Sequence, residues 1–355
     1  MENDKKSVDF FLGAVGPGGF RGYFEQLGAE PGIQLYLIKS GPGCGKSTMM
    51  RRIAQKTGDP VERIHCSSDP DSLDGVILSR PFAAVLDATA PHTLDPAYPG
   101  AAEEVVSLYH TMDTKRLKAN RAEIIALFRR CKCLQGRAAR YISSAAELLA
   151  DSRRTAAGAA DMEKARAYAN RLALRYLPRR GGEGRESIRL LSAVTPQGHK
   201  VFRDTIPALA DTLVVFHDEY GACSSLLMET LRRLGLERGY HVVTCPCPLS
   251  EGKIDHLFLP ELRLAFLTSN SWHPMEFPDQ KNIHCTRFEA KDRLRCRKKR
   301  LRFNRRAAAD LLAQASAMQC EAKASHDELE AFYGAAVDFS AVDAAAAALN
   351  AKLGL

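Results

Sequence analysis

Along the chain, short apolar runs alternate with polar, glycine-rich stretches before giving way to long mixed segments, and this happens twice. Ile33–Ile38 is apolar and partly β-branched, which predicts a buried strand. Val61–Ile64 and Phe82–Leu86 read as further strands, and MMRRIAQK at Met49–Lys56 has a helical pattern. The segments from about Ala101 to Leu177 and from about Phe288 to the C-terminus are rich in Ala, Leu, Arg, Lys and Glu, which favour helix. Gly136 would mark a local turn in the first of them. Helices this long need a partner for their apolar stripe, either each other or a second chain in a homodimer.

The repetition is an internal duplication. Phe11–Gly22 aligns with Leu190–Val201 at an offset of 179, and the same offset brings Cys44 onto Cys223 and Cys66 onto Cys245. Two extra residues then enter the second copy, after which Leu73–His92 aligns with Ile254–His273, Asp74 meeting Asp255 and His92 meeting His273. With the glycine loop SGPGCGKST at Ser40–Thr48 following the strand Ile33–Ile38, the expected fold class is α/β: duplicated P-loop NTPase-like parallel-sheet domains, each followed by a long helical region. The expected domains are 1–178, with helices over about 101–177, and 186–355, with helices over about 288–355. PRRGGEGRE at Pro178–Glu186 would link them.

Between the strand at Ile33–Ile38 and the helix lies SGPGCGKST, Ser40–Thr48. A strand, a glycine loop and a helix in this order form a phosphate-binding arrangement. Gly41, Gly43 and Gly45, with Pro42 and Cys44 between them, let backbone N–H groups converge on phosphate oxygens. The helix N-terminus adds unpaired donors and a favourable dipole. In this reading Lys46 reaches the β- and γ-phosphates, Ser47 ligates magnesium, and Thr48 caps or lines the start of the helix. Ser40 stands where the strict pattern has glycine. The bland alternative is a glycine-rich turn with Lys46 in solvent.

Asp87 ends the strand Phe82–Leu86, where a carboxylate can hold a magnesium-bound water or polarise the attacking group; otherwise it caps the following loop. Asp69, in HCSSDPDSLDG, is a candidate base or metal-water partner, or else part of a turn built from Asp-Pro and Asp-Gly. His92 would contact phosphate or serve structurally. Arg80 and Arg287 are conceivable donors to the phosphates. In the second copy Ser225 stands at the Lys46 position, Leu226 at that of Ser47 and Thr268 at that of Asp87, so a second triphosphate site of the usual kind is not expected.

Composition narrows the classes. Charged residues make up 26% and no run of 18 apolar residues occurs, so a membrane span is not expected. The N-terminus lacks an export signal, which predicts a cytoplasmic location and free thiols for the ten cysteines. The pairs Cys131/Cys133 and Cys245/Cys247 are spaced CxC rather than CxxC, so a zinc site is not expected from them. The formal charge of +8 is concentrated between Lys291 and Arg306. That run lacks interleaved aromatics, which makes a solvated face, or one docked on acidic protein surface, a simpler account than nucleic acid.

The strings GPGCGKST, HCSSDPDSLDG and VLDATAPHTLDPAYPG together resemble a poorly characterised bacterial family of tandem P-loop ATP-binding proteins, described as ATPase-like or nucleotide-kinase-like. The likeness extends over nearly the whole chain through IDHLFLPEL and LTSNSWHP. It implies ATP or a related nucleotide at Lys46, Ser47 and Thr48, with the second loop degenerate here, and no acceptor substrate. The expected function is a magnesium-dependent ATPase acting through the first site. A small-molecule or nucleotide kinase, with an unknown acceptor, and a nucleotide-gated scaffold for a protein partner stay open beside it.

Overall fold

The computed structural model describes residues 7–355, Lys291 by its backbone alone; the first six residues, part of the segment read for an export signal, lie outside the described residues. The first half of the chain runs β1 (Val8–Phe11), β2 (Gly13–Gly16), β3 (Gly19–Gly22), β4 (Gln34–Lys39), α1 (Lys46–Lys56), β5 (Val61–His65), β6 (Leu73–Leu78), β7 (Ala83–Asp87), β8 (Glu103–Ser107), α2 (Thr114–Ala119), α3 (Arg121–Ala157) and α4 (Met162–Tyr176). The second half repeats it as β9 (Arg185–Ile188), β10 (Ser192–Thr195), β11 (Gly198–Val201), α5 (Thr205–Leu209), β12 (Thr212–His217), α6 (Ala222–Glu237), β13 (His241–Pro246), β14 (Ile254–Leu259), β15 (Leu264–Ser269), β16 (Lys281–His284), α7 (Lys291–Arg295), α8 (Lys298–Gly334) and α9 (Phe339–Leu353).

The sheets carry the repeat. One has the order β1-β5-β6-β7-β4-β8; the other, read from its far edge, is β9-β13-β14-β15-β12-β16. Each strand of the second occupies the place of its counterpart in the first. Beyond the sheets, α3 and α8 both have 37 residues, and α4 and α9 both have 15. Asp161 and Asp338 cap the two shorter helices, accepting from Lys164 N–H, and from Ser340 and Ala341 N–H. The α/β class with two similar sheet-helix halves is therefore observed.

Three expectations change. The sheets are mixed, not parallel: β6 runs antiparallel to both β5 and β7, and β14 to both β13 and β15. The links at 66–72 and 79–82 are too short for a crossover, which takes a dozen or more residues, so β6 must reverse. In the first helical region, Glu103–Ser107 is a strand paired parallel with β4. Its β-branched pair Val105-Val106 suits a sheet edge better than a helix. Gly136 lies inside continuous α3, and the turn comes after Ala157.

The chain divides into two compact units that cut across the sequence halves. One comprises the chain up to Ala139 with Val194–Gly198 and Ala315–Leu355; the other comprises Arg140–Ala193 and His199–Gln314. In the first unit, Met49, Met50 and Ile53 of α1 join Val76, Leu78 and Val85 of the sheet, and α9 adds Val342, Ala346, Leu349 and Leu353. In the second, Leu227, Met228 and Leu231 of α6 join Val214, Phe216, Leu257 and Phe266, and α4 adds Ala165, Ala169, Leu172 and Ala173. Each sheet is thus covered by a helix belonging to the other half of the sequence. Every such helix is amphipathic and short on its own, so its apolar face is stabilised by the sheet it meets.

Long helices line both units. In the first, the Cys131 thiol on α3 lies 3.5 Å from the Ala322 carbonyl on α8. In the second, Arg300 on α8 bonds Asp151 on α3, with Nε at 2.8 Å, and Asn304 reaches both Asp151 and Ser152. Arg305 lies 3.6 Å from Glu219. Part of the basic run thus docks on acidic side chains of its own unit. Among the described residues, no helix is long and apolar enough to cross a membrane.

Candidate active site

Strands β4 and β7 lie side by side in parallel, with Ile38 opposite Asp87. Their C-terminal ends open on one crevice edge, the place where loops of an α/β sheet gather ligands. From β4 the chain enters the glycine loop. Gly43 and Gly45 have φ of +65° and +79°, a left-handed conformation that side-chain-bearing residues adopt at a cost. Gly45 is the N-cap of α1 and offers no side chain to the first N–H groups of the helix. Those groups have no intrahelical acceptor and point out of the helix end. Thr48 is exposed on the first turn, and Cys44 is buried with its thiol turned to the Pro42 carbonyl at 3.5 Å.

Lys46 folds back over the loop. Its Nζ donates to the Gly41 carbonyl at 3.0 Å and to Thr89 Oγ1 at 3.3 Å, and it lies 3.2 Å from Asp87 Oδ2. Both side chains of this ion pair are 12% exposed. Asp87 Oδ1 accepts from Thr89 N–H at 3.0 Å and from the Thr89 hydroxyl at 2.6 Å, which fixes the carboxylate. Ser47 Oγ accepts from Leu73 N–H at 2.9 Å and so stands against the start of β6, next to Asp74.

The reversal of β6 decides what else is here. Because it is antiparallel, its N-terminal end lies at the same edge as the C-terminal end of β7, and Gly75 opposite Leu86 puts Asp74 beside Asp87. His92, after β7, brings Nε2 to 3.4 Å from Asp74 Oδ2. Ligand atoms of Asp74, Asp87 and His92 all lie within 4.8 Å of one another, a set of two carboxylates and an imidazole that can hold a divalent cation. Burial alone would lower the His92 pKa, but the Asp74 and Asp87 carboxylates outweigh it and raise it above 6.5. Burial and Asp74 together push the Cys66 thiol well up, so it is a neutral neighbour of this group.

Asp69 is held elsewhere in the same loop. Its Oδ2 accepts from the Ser72 hydroxyl at 2.9 Å and lies 3.7 Å from Lys323 Nζ, while Oδ1 is buried without a hydrogen-bond partner. The structure therefore gathers Lys46, Ser47 and Asp87 with Asp74 and His92, and places Asp69 with Lys323. The parallel-sheet expectation hid Asp74. Its match to Asp255 and its spacing from His92 were visible, but only the strand direction brings it to the crevice.

Helical residues of this unit close on the glycine loop. A Cβ on Gly41 would meet the Tyr333 ring at 2.6 Å, and one on Gly43 would meet the Glu330 carbonyl at 2.7 Å. The Glu330 carboxylate lies 3.5 Å from His326 Nε2, and His326, with the Gly43 backbone beside it, holds its carboxyl below 4.5 despite burial. The sequence carries no local sign of Glu330 or Tyr333, which lie nearly 300 positions away from the loop.

The equivalent place in the second unit is built differently. α6 begins at Ala222, the counterpart of Gly43, so the loop is shortened by most of a turn. The Asp218 carboxylate accepts from Gly221 N–H at 2.9 Å and Ser224 N–H at 2.7 Å, with Tyr220 N–H at 3.3 Å. An internal carboxylate thus takes up the donors a phosphate would need. Models of protein families, curated proteins and solved structures were compared with this chain, and none matches.

Proposed function

We propose that the first half binds ATP with magnesium at Gly41–Thr48 and hydrolyses its terminal phosphoanhydride bond, and that the chain belongs with the tandem P-loop proteins it resembles. The observation that carries this reading is the Lys46–Asp87 pair, 3.2 Å apart where β4 and β7 end side by side. A lysine held only by a carbonyl, a hydroxyl and one carboxylate can turn to phosphate oxygens, to which it brings charge-assisted hydrogen bonds. The uncapped N-terminus of α1 offers N–H donors to the same oxygens.

The chain also fits the metal. Ser47 and Asp87 would hold magnesium, with Asp74 alongside. Bound there, magnesium would supply positive charge to offset that of the phosphate oxygens. Asp87, or Asp69 with its unpartnered oxygen, orients the attacking water. The water oxygen bonds to the γ-phosphorus and the bond to the bridging oxygen breaks. ADP and inorganic phosphate leave, and the proton passes to solvent.

A second reading has its own support. Glu330 and Tyr333 lie directly on the phosphate loop, so nucleotide at Gly41–Gly43 would have to displace or contact α8. That contact favours a nucleotide-gated scaffold. Incubation with magnesium and γ-labelled ATP, beside a Lys46→Ala control and with or without a metabolite extract, separates the readings. Label released as phosphate, and lost in the variant, supports hydrolysis. Label moved to a metabolite reassigns the protein as a kinase. Binding without turnover leaves the scaffold, and absence of binding refutes the nucleotide site.

A further inference from the structure

The second unit contains a cavity of about 60 Å³. That is room for several water-sized groups, since a single water needs about 10–15 Å³ on this measure. It opens at the very place where the first half has its phosphate loop, yet Asp218 has already taken the loop donors. The walls are apolar, made by Leu149, Leu249, Leu301 and Trp272.

The polar groups lining it are unbalanced in two respects. Lys253, Arg153 and Arg305 face Asp255 and Glu219. Lys253 is bonded to Asp255, and Arg305 lies 3.6 Å from Glu219. Arg153, half-buried on α3, has no ion-pair or hydrogen-bond partner among the described residues. Neutral groups do not compensate it: burial drives the His273 pKa down to about 4, and burial with Asp255 drives the Cys247 thiol up to about 12.

The second imbalance lies at the buried end. Asp255 is 1% exposed, and its Oδ2 has no hydrogen-bond partner among the described residues. His273 Nε2 is 3.7 Å away, and the neutral Cys247 thiol, which also lies against this carboxylate, is only a weak donor. His273 Nδ1 donates to the Thr268 carbonyl at 3.0 Å, so a neutral ring presents only a lone pair at Nε2. A buried carboxylate oxygen in this state calls for a donor from something within the cavity.

We propose that this cavity is a binding site for a small organic acid with an apolar body, its carboxylate at Arg153 and a hydroxyl at its other end donating to Asp255. A hydroxyl suits the buried end better than an ammonium, which the Lys253 charge would repel. This site is independent of the nucleotide reading. It makes the second half a ligand-binding module in its own right, rather than a decayed copy.

Trp272 is the only tryptophan of the chain and lines the cavity, so its fluorescence reports occupancy directly. The full chain is titrated with 4-hydroxyphenylacetate, and in parallel with phenylacetate, which lacks the donor, and 4-hydroxyphenylacetamide, which lacks the charge. The expected result is a saturable change with 4-hydroxyphenylacetate, and affinity about tenfold weaker for either analogue, the effect of losing one charge-assisted hydrogen bond. Arg153→Gln, checked for an unchanged melting temperature, should weaken the acid by about tenfold and leave the amide unaffected. No saturable change with the acid overturns the proposal. So do equal affinities for the acid and its analogues, or an Arg153→Gln protein that binds like the wild type.

Discussion

Replacing Lys46 by methionine keeps the apolar stem and removes the charge, and its consequences follow from the ion pair. At 3.2 Å from Asp87, the gross attraction at an effective dielectric of about 20 is roughly 5 kcal/mol. The net loss is smaller, because both groups were desolvated to form the pair. Breaking a buried pair by removing one partner costs about 3–5 kcal/mol. Asp87 retains both Thr89 hydrogen bonds, which places the expected cost at the lower end, about 3 kcal/mol. Loss of the charged contact to phosphate should add a separate penalty of about 1.5–3 kcal/mol on nucleotide affinity, or roughly 10- to 100-fold. Asp87→Asn in the Lys46→Met background removes the stranded charge, so it should recover stability without recovering nucleotide. Urea denaturation measures the first quantity and calorimetric titration of magnesium-ATP the second. A Lys46→Met protein that binds ATP as tightly as wild type refutes the reading of this loop, whatever its stability.

Four further outcomes are expected. Asp255→Ala leaves Lys253 buried without its partner and should cost about 3–5 kcal/mol, while Lys253→Met with Asp255→Leu should recover most of it; chemical denaturation of the three variants checks this. Asp218→Ala should destabilise α6 by about 1–2 kcal/mol, as loss of an N-terminal cap does, without creating ATP binding in the second half, which a Lys46→Met background would reveal. Asp9 is opposed by burial, but hydrogen bonds from His65 and Arg63 hold its carboxyl well below 3.8; its contribution is therefore complete above about pH 4 and lost as the pH falls further, and Asp9→Asn should flatten the acid limb of a stability profile. His92 has the opposite sign: raised above 6.5, its contribution is present below that pH and is lost as the pH rises through the folded value, so His92→Gln should remove a loss of stability that sets in as the pH rises above 6.5.

The local chemistry of the first site was legible because it is written in contiguous residues. Gly43 and Gly45 supply left-handed positions, Lys46 follows them at the helix start, and Asp87 ends an apolar run. The duplication was legible for a related reason: an alignment at constant offset needs no three-dimensional information. Its structural counterpart is one sheet order realised twice. The strand at Glu103–Ser107 was not legible, because a short edge strand followed by long helices shares their composition, and only pairing with β4 distinguishes it.

What the sequence determined by itself is therefore the class of the fold, its repetition, and a glycine loop at the start of a helix. Tertiary structure decided the remainder. The direction of β6 placed Asp74 beside Asp87 and within reach of His92, since strand orientation depends on link length and pairing rather than on apolar pattern. The exchange of α4 and α9 between the sequence halves depended on which sheet each apolar face met, and any sheet of matching shape satisfies the same stripe. Arg305 met Glu219, and Arg153 was left without a partner among the described residues, because charges are matched by proximity in space, which separation along the chain does not encode.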